Sequence, residues 1–521
     1  MSTGMAALCA SDAFSWPSIP GAQVTALEAS YVSNVTKFIS EYYYYNHGNV
    51  QANEVSFCNV TLSYQHTGKN DSVMVGIYLP SEDWNGRMQG IGGNGYTAGL
   101  TSVISVGMIG GVAEGYITVT TNGGHTGTGG FNDDPSEWAL NSDGSLDYQS
   151  IEDLATISLN DASLYAKSLA QSVYGTPPKY SYWTGCSQGG RQGMQLAQKY
   201  PDAYDGIVAA SPAINWSEMF VSGVWAQFVM NMMNEYPYGC EIDGVVAAAI
   251  SACDTADGVV DGIVSDPTAC DFDPFSAVGT QINCTDTNST RTISNATAQI
   301  VNATWTGPRG SDGQFLWYGY EKGATLTGGT TVVNTECSNS TCIGAPLSML
   351  LDWLQVFVEQ DLDFTVANIT SHEQFDFLFE KSLQKWGSYL GTNNPDLSEF
   401  RDAGGKMLSY HGLMDEVIPT QGSIDYYEKV LSRDANAAEY YRFFEAPMMG
   451  HCYGASGGYP STIFDSMVAW VENGTVPETL PVSYTPKDGK TYDRMLCPYP
   501  QTVKYKGTGD HTLVESFYCA E

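Results

Sequence analysis

The chain has 521 residues, with 22 Lys and Arg against 57 Asp and Glu, and a formal charge of -35 at pH 7. A hydrophobic fraction of 43% and a mean hydropathy of -0.18 are those of a soluble globular chain with a large core. The acidic balance argues against nucleic acid, since phosphate binding needs a basic face. It disfavours anionic membranes too, and no apolar run reaches the length of a membrane span.

Met1 is followed by neither a basic n-region nor an apolar h-region, so the sequence carries no signal peptide. Export is argued instead from cysteines and sequons. The 12 cysteines are even in number and show no zinc spacing, which points to disulfides and an oxidising compartment. Asn-x-Ser/Thr occurs at Asn34, Asn59, Asn70, Asn215, Asn283, Asn288, Asn295, Asn302, Asn339, Asn368 and Asn473. The four between 283 and 302 suggest an exposed loop carrying N-linked glycans.

Residues 56–64 alternate in part between apolar and polar, as a half-buried strand does, and 73–80 form the next strand. Residues 88–95, Met-Gln-Gly-Ile-Gly-Gly-Asn-Gly, are a strand running into a glycine-rich loop. A phosphate loop would need a following Lys-Ser/Thr, which is missing. An oxyanion loop is the other reading, with Gly93 as backbone donor and Asn94 as the one-residue alternative. A strand at 115–121 ends at Asn122-Gly-Gly-His125, where His125 is expected to pack the loop. Residues 147–169 read as one long amphipathic helix.

The next stretch carries the chemistry. A β-favouring run at 180–184 enters Gly185-Cys-Ser187-Gln-Gly189, and a helix-compatible run at 191–199 leaves it and stops at Pro201. Strand, sharp turn and helix around Gly-x-Ser-x-Gly hold a serine in a strained conformation with its hydroxyl above the sheet. Ser187 is the expected nucleophile. The N–H of Gln188 is the expected second oxyanion donor. After a short buried strand at 206–212, the strand–helix alternation predicts a parallel sheet and an α/β fold.

From 215 to 405 that alternation ceases, and most of the middle cysteines lie there. The division expected is a first catalytic part at 1–214, an inserted lid at 215–405, and a second catalytic part at 406–521. Inside the insertion, Asp254, Asp257 and Asp261 stand at spacings suited to a hard cation such as calcium. Backbone carbonyls of Val259 and Ile263 would complete the set. An ordinary acidic turn is the other reading. Cys253 and Cys270 flank the loop and could staple it.

The sheet resumes at 406–411. Asp415 follows on a turn, a strand at 440–445 comes next, and His451-Cys452 lies beyond it. Ser187, Asp415 and His451 thus keep the chain order of an α/β-hydrolase triad. His451 would accept the serine proton and Asp415 would orient the imidazole. His411 competes for the base, although holding the Asp415 loop suits it better. Cys186 precedes the serine and Cys452 follows the histidine. If the triad forms, the two must lie close, and a bridge would close a loop of 266 positions. Loop-closure entropy assigns that bridge at most about 5 kcal/mol.

Gly-Cys186-Ser187-Gln188-Gly-Gly, Asp415 and His451-Cys452 resemble the Cys-Ser, Asp, His-Cys motif of the fungal tannase and feruloyl esterase family. The resemblance runs from the Cys58 region to Cys519. It implies an α/β-hydrolase core, a large lid, and a structural calcium in the lid on Asp254, Asp257, Val259, Asp261 and Ile263. It also implies hydrolysis of phenolic-acid esters, hydroxycinnamoyl or galloyl, of alcohols or plant cell-wall sugars, without a catalytic cofactor. The family often carries Asp where this chain has Asn122, which is given no catalytic role. Trp225, Phe228 and Phe315 are candidates for an aromatic slot under the lid, although each singly suits the lid core better. A calcium-dependent glycan-binding glycoprotein on a dead hydrolase fold is the non-enzymatic alternative.

Overall fold

Apolar runs separated by turn-forming clusters become nine strands of one sheet, numbered β1 to β9 along the chain. The structure is a computed structural model and describes residues 9–10, 15–125, 133–285, 287–338, 341–447, 449–454, 457–485 and 489–521. The strands are β1 (Ala22–Ile39), β2 (Val50–His66), β3 (Val73–Pro80), β4 (Arg87–Ile91), β5 (Ile117–Thr121), β6 (Tyr180–Cys186), β7 (Gly206–Ala210), β8 (Lys406–Gly412) and β9 (Tyr441–Ala446). Their spatial order is β1-β2-β3-β5-β4-β6-β7-β8-β9. β4 to β9 run parallel, and β1, β2 and β3 add an antiparallel wing beside β5. Every residue of β5 and β7 is buried, as expected of central strands covered on both faces.

Two helices show where tertiary packing overrides local preference. α1 (Ser102–Ala113) carries Gly107, Gly110 and Gly111 in its interior, which propensity disfavours. A Cβ at Gly107 would meet the Tyr43 carbonyl at 2.6 Å, and one at Gly110 the Tyr44 ring at 2.8 Å. The glycines let the 43–44 turn seat directly on the helix. The single helix expected over 147–169 is broken instead. A helical turn at Tyr148–Glu152 passes through a π turn at Asp153–Ile157 into α2 (Ser158–Tyr174). Ser158 Oγ donates to the Asp153 carbonyl at 2.7 Å, and Arg191 donates to that of Ala155 at 3.4 Å. Side chains thus take carbonyls that a regular ladder would use.

The elbow helix α3 (Gln188–Lys199) joins β6 to β7. Between β7 and β8 the chain adds no strand to the sheet. It forms α4 (Trp216–Gly223), α5 (Trp225–Met233), α6 (Gly239–Cys253), α7 (Asn295–Thr306) and α8 (His372–Leu390), with two small hairpins. Three disulfides, Cys240–Cys284, Cys253–Cys270 and Cys337–Cys342, lie wholly within this segment. Cys9–Cys58, Cys186–Cys452 and Cys497–Cys519 lie wholly outside it. After β8 come α9 (Gln421–Arg433) and, after β9, α10 (Ile463–Asn473).

Two sequon expectations change. Asn215 is buried, its Oδ1 accepts from Asn393 at 3.0 Å, and in the folded chain it offers no acceptor for a glycan. The 283–302 cluster is a hairpin (Gln281–Cys284 with Ser289–Thr292) followed by α7, rather than a loop. Asn339 lies outside the described residues.

An aromatic chain joins the segment to the sheet. Trp353 stacks on Phe220 at 5.1 Å and on Phe357 at 4.8 Å. Tyr96, from the loop after β4, stacks on Phe220 at 5.4 Å and donates its hydroxyl to the Met349 carbonyl at 3.1 Å. Trp353 is fully buried, and its Nε1 donates to Ser382 Oγ at 3.0 Å. Trp353→Ala would leave a ring-sized cavity and remove the donor to Ser382 Oγ, which keeps its own bond to the Ser217 carbonyl. Its expected cost is about 3–5 kcal/mol, read as a shift in the urea unfolding midpoint. A loss under about 1 kcal/mol would refute this docking role.

Candidate active site

β6 delivers Ser187 at its carboxyl end with φ 60° and ψ -120°. A non-glycine residue held there stores strain on the order of 1–3 kcal/mol. The surrounding backbone over-determines it. Ser187 N–H donates to the Ala210 carbonyl at 3.1 Å, and its own carbonyl accepts from Arg191 at 2.9 Å and Ala213 at 3.0 Å. Glycine is required around it by contact. A Cβ at Gly185 would lie 2.5 Å from Gly189 backbone, and one at Gly190 would lie 2.4 Å from the Ala210 carbonyl.

Asp415 follows β8 on a turn and is buried. Its Oδ1 accepts the N–H groups of Val417 at 2.9 Å and Ile418 at 2.8 Å. Its Oδ2 accepts from His451 Nδ1 at 2.8 Å and from His411 Nε2 at 3.0 Å. His411 Nδ1 in turn lies 2.8 Å from Ser423 Oγ, so His411 holds the Asp415 loop. Burial raises the Asp415 carboxyl, but His451 and His411 outweigh it and hold the group well below the usual carboxylate range. Burial works against the charged form of His451. The Asp415 carboxylate, with a smaller push from Glu416, more than offsets this and raises the imidazole above its ordinary value. The Cys186–Cys452 disulfide, Cα–Cα 5.8 Å, ties the serine turn to the histidine loop. The Ser187 hydroxyl itself hydrogen-bonds to no described residue in this geometry, His451 included.

One expected donor is corrected. Gly93 N–H is committed to Gln192 Oε1 at 2.9 Å, so it does not face an incoming oxyanion. Asn94 N–H has only a long 3.3 Å bond to Thr97 Oγ1. Gln188 N–H opens α3, where the first N–H groups have no partner within the helix. Gln192 also donates Nε2 to the Ala98 carbonyl at 2.8 Å and so pins the glycine loop to the elbow helix. Gln192 and Glu416, whose Oε2 accepts His451 N–H at 3.0 Å, were not singled out from sequence. For Gln192 a signal exists: Gln188, Gln192 and Gln195 fall at i, i+4 and i+7, a buried polar face where an amphipathic helix would be apolar.

The other expected residues separate. Asn122 Oδ1 accepts from Met74 and Gly124 N–H at 2.7 and 3.0 Å, which closes the strand end. His125 stacks on Trp138 at 4.5 Å, and burial pulls it down to about 4, so it stays neutral near neutral pH. Trp225 and Phe228 pack on Phe375 at 5.0 and 5.1 Å within the inserted segment, and Phe315 is exposed.

In the acidic loop, Asp254 Oδ1 accepts from Asp261 and Gly262 N–H at 3.1 and 2.8 Å. Asp257 accepts from Val259 N–H at 2.9 Å and Ser265 Oγ at 2.6 Å. Asp261 accepts from Ile263 N–H at 3.2 Å and Arg494 at 2.7 Å. Burial raises the Asp257 carboxyl, and the charges of Asp261 and Asp254 add to it. An all-oxygen donor set under mutual repulsion fits a hard cation. The three carboxylates are nevertheless not gathered on one point, since each is turned to local donors. Cys253–Cys270 staples the loop, as its flanking position suggested.

The family model described as "Tannase and feruloyl esterase" matches residues 58–520. The chain belongs to this family. A probable feruloyl esterase of Arthroderma benhamiae is 38% identical over 475 residues, 90% of this chain and 86% of that protein. A mono(2-hydroxyethyl) terephthalate hydrolase of Piscinibacter sakaiensis is 30% identical over 496 residues, 85% of this chain and 81% of its own. The solved tannin acyl hydrolase from Aspergillus niger superposes with a TM-score of 0.85 at 28% identity, covering 100% of this chain and 95% of that one. The fold is the α/β-hydrolase fold, and the chain is a carboxylic ester hydrolase. That membership sets aside a non-enzymatic glycan binder.

The disulfide then has a kinetic consequence. Cys186→Ala/Cys452→Ala should lower ester turnover at temperatures well below the variant's own Tm, because a shift of about 1 Å between reacting groups can cost on the order of a hundredfold. Removing Cys497–Cys519 should change Tm and leave kcat alone. Full turnover in the first variant at low temperature would refute the tether.

Proposed function

We propose that the protein hydrolyses esters of aromatic acids, feruloyl and related hydroxycinnamoyl esters of plant cell-wall polysaccharides above all, through an acyl-enzyme on Ser187. The observation that carries the mechanism is the strained Ser187 elbow tied by Cys186–Cys452 to a histidine paired with a buried carboxylate. The substrate class rests on relatives named for feruloyl, tannin and terephthalate esters, in each of which the acid is aromatic. Feruloyl esters are preferred because the 38% identical relative bears that name.

In this reading His451 accepts the Ser187 proton as Oγ attacks the ester carbonyl. Asp415 keeps His451 Nδ1 protonated, so the free Nε2 is the base, and it stabilises the imidazolium that forms. Backbone N–H groups of Gln188 and Asn94 receive the oxyanion, with Gln192 holding the glycine loop in place. His451 returns the proton to the departing alcohol. Water then attacks the acyl-enzyme by the same route and releases the acid.

We place calcium on Asp254, Asp257 and Asp261 with the Val259 and Ile263 carbonyls, where it would neutralise crowded carboxylates and brace the 215–405 lid. It takes no part in the reaction. The six disulfides fit a protein that works outside the cell. No described helix is long and apolar enough to cross a membrane. N-linked glycans are expected at the exposed sequons such as Asn70 and Asn473. A tannase, acting on galloyl esters, is the second reading, since a tannin acyl hydrolase matches the whole fold.

Initial rates on methyl ferulate and methyl gallate decide between the two, with Ser187→Ala as control. That variant should fold and lose at least about 10⁴-fold in kcat; retained turnover would refute the nucleophile. The base must be neutral to accept a proton, so kcat/KM should fall as pH drops through the raised His451 value, above the ordinary 6.5 or so. Asp415→Asn should move that limb downward and cut kcat by about 10⁴. An unmoved limb would mean that another group titrates. Chelation, measured by thermal unfolding, should lower Tm by roughly 2–3 °C relative to calcium at a hundred times its Kd. An unchanged Tm would exclude a calcium brace.

A further inference from the structure

At the far side of β5 from the elbow, two sequence-distant segments bring together charged groups that the proposed reaction does not use. His66 ends β2, Asp71 lies in the β2–β3 turn, and Asp153 opens the π turn. One ligand atom from each lies within 4.8 Å of the others. His66 Nδ1 contacts Asp71 Oδ2 and stands 3.7 Å from Asp153 Oδ1. The remaining ring nitrogen, Nε2, lies 2.9 Å from Asp161 Oδ2, which also accepts from Tyr64 at 3.0 Å. Gln149 Nε2 donates to Asp153 Oδ1 at 2.9 Å. No described Lys or Arg pairs with any of the three carboxylates.

Two features point to a missing ligand. The Asp153 side chain is 0% exposed, yet its Oδ2 has no hydrogen-bond partner. Three carboxylates, Asp71, Asp153 and Asp161, crowd around this one imidazole. We propose that this pocket binds one divalent first-row cation of the zinc class through His66 Nδ1, Asp71 and Asp153. One imidazole nitrogen with carboxylate oxygens is the donor set such ions take. Ligand atoms held about 2.0–2.2 Å from one ion lie roughly 3–4 Å apart; the Nδ1–Asp153 spacing matches this, and Asp71 would draw back from its direct contact with Nδ1 to admit the ion. Asp161 would then fix the ring through Nε2–H, and Gln149 would steady Asp153, the outer hydrogen bonds that orient metal ligands. The ion would pin the β2–β3 turn to the π turn, whose Ala155 carbonyl accepts from Arg191 of the elbow helix. This site is separate from the acidic loop at 254–263.

The test is calorimetric titration of zinc chloride into the full-length enzyme, stripped with chelator and reloaded with calcium. One zinc per chain is expected. Asp153→Asn should abolish it, Asp161→Asn should weaken it by about 10–100-fold, and Asp257→Asn should leave it unchanged. Wild-type enzyme that takes up no zinc, or Asp153→Asn that binds as wild type does, overturns the site. Should Asp153→Asn fail to fold, diethylpyrocarbonate labelling of wild-type His66, mapped by peptide mass, decides the point. Protection by zinc supports the site, and equal labelling with and without zinc overturns it.

Discussion

The Asp415 carboxylate is the constraint around which the rest of the site is arranged. Burying an ionised carboxylate costs several kcal/mol unless donors replace its water. Four do so here: two backbone N–H groups and two imidazoles. The backbone pair fixes the turn that leads into α9. His411 anchors the carboxylate from below and is itself anchored on Ser423, one α9 turn away. The fourth bond goes to His451, whose loop the Cys186–Cys452 disulfide ties to the serine turn. Three of the four donors therefore secure the carboxylate, and the fourth lets it act on another residue.

Position is then secured by covalent and polar ties at short chain distance from each proposed reacting group. Cys186 and Cys452 each neighbour one, so the bridge limits separation of two loops that are 266 residues apart in sequence. Gln192 does the equivalent for the glycine loop through two hydrogen bonds, one to each side of it. Arg191, the next residue in, is fully buried and has no carboxylate partner among the described residues. It lies over the Trp216 ring at 4.6 Å, and loss of water pulls it down to about 9, still charged at neutral pH. Its bonds to the Leu390 and Ala155 carbonyls bind α3 to the inserted segment and to the π turn.

Much of this was legible in the sequence because the chemistry sits at strand ends, where period-two patterning, glycine turns and residue order are local signals. β3 was bounded correctly by its apolar run, and the strands of the parallel part of the sheet within a few residues. β1 was missed because an edge strand with mostly exposed residues lacks an alternating apolar face. α1 was missed because its glycines answer to Tyr43 and Tyr44, which is a tertiary matter. The π turn depends on Ser158 and Arg191 capturing carbonyls, and no periodicity announces that. Gly93 was preferred over Asn94 on glycine content, whereas its N–H is taken by Gln192, 99 residues away.

The same reasoning relates the lid to the chemistry. Asn94 and Tyr96 belong to one short loop, two residues apart. The first offers a weakly held N–H beside the serine turn, and the second is stacked into the aromatic chain of Phe220, Phe357 and Trp353. Ring stacking and the Tyr96 bond to the Met349 carbonyl fix the middle of the loop to the inserted segment. Gln192 fixes Gly93 and Ala98, on either side of Tyr96, to the elbow helix. A close-packed interior transmits displacement rather than absorbing it, so a shift of the inserted segment relative to the sheet would bear on Tyr96 and, two residues away, on the Asn94 N–H. Packing of the inserted segment and the position of the proposed oxyanion donor are therefore linked in this fold. A residue such as Trp353, remote from Ser187 in sequence, bears on the site through that loop and not only through overall stability.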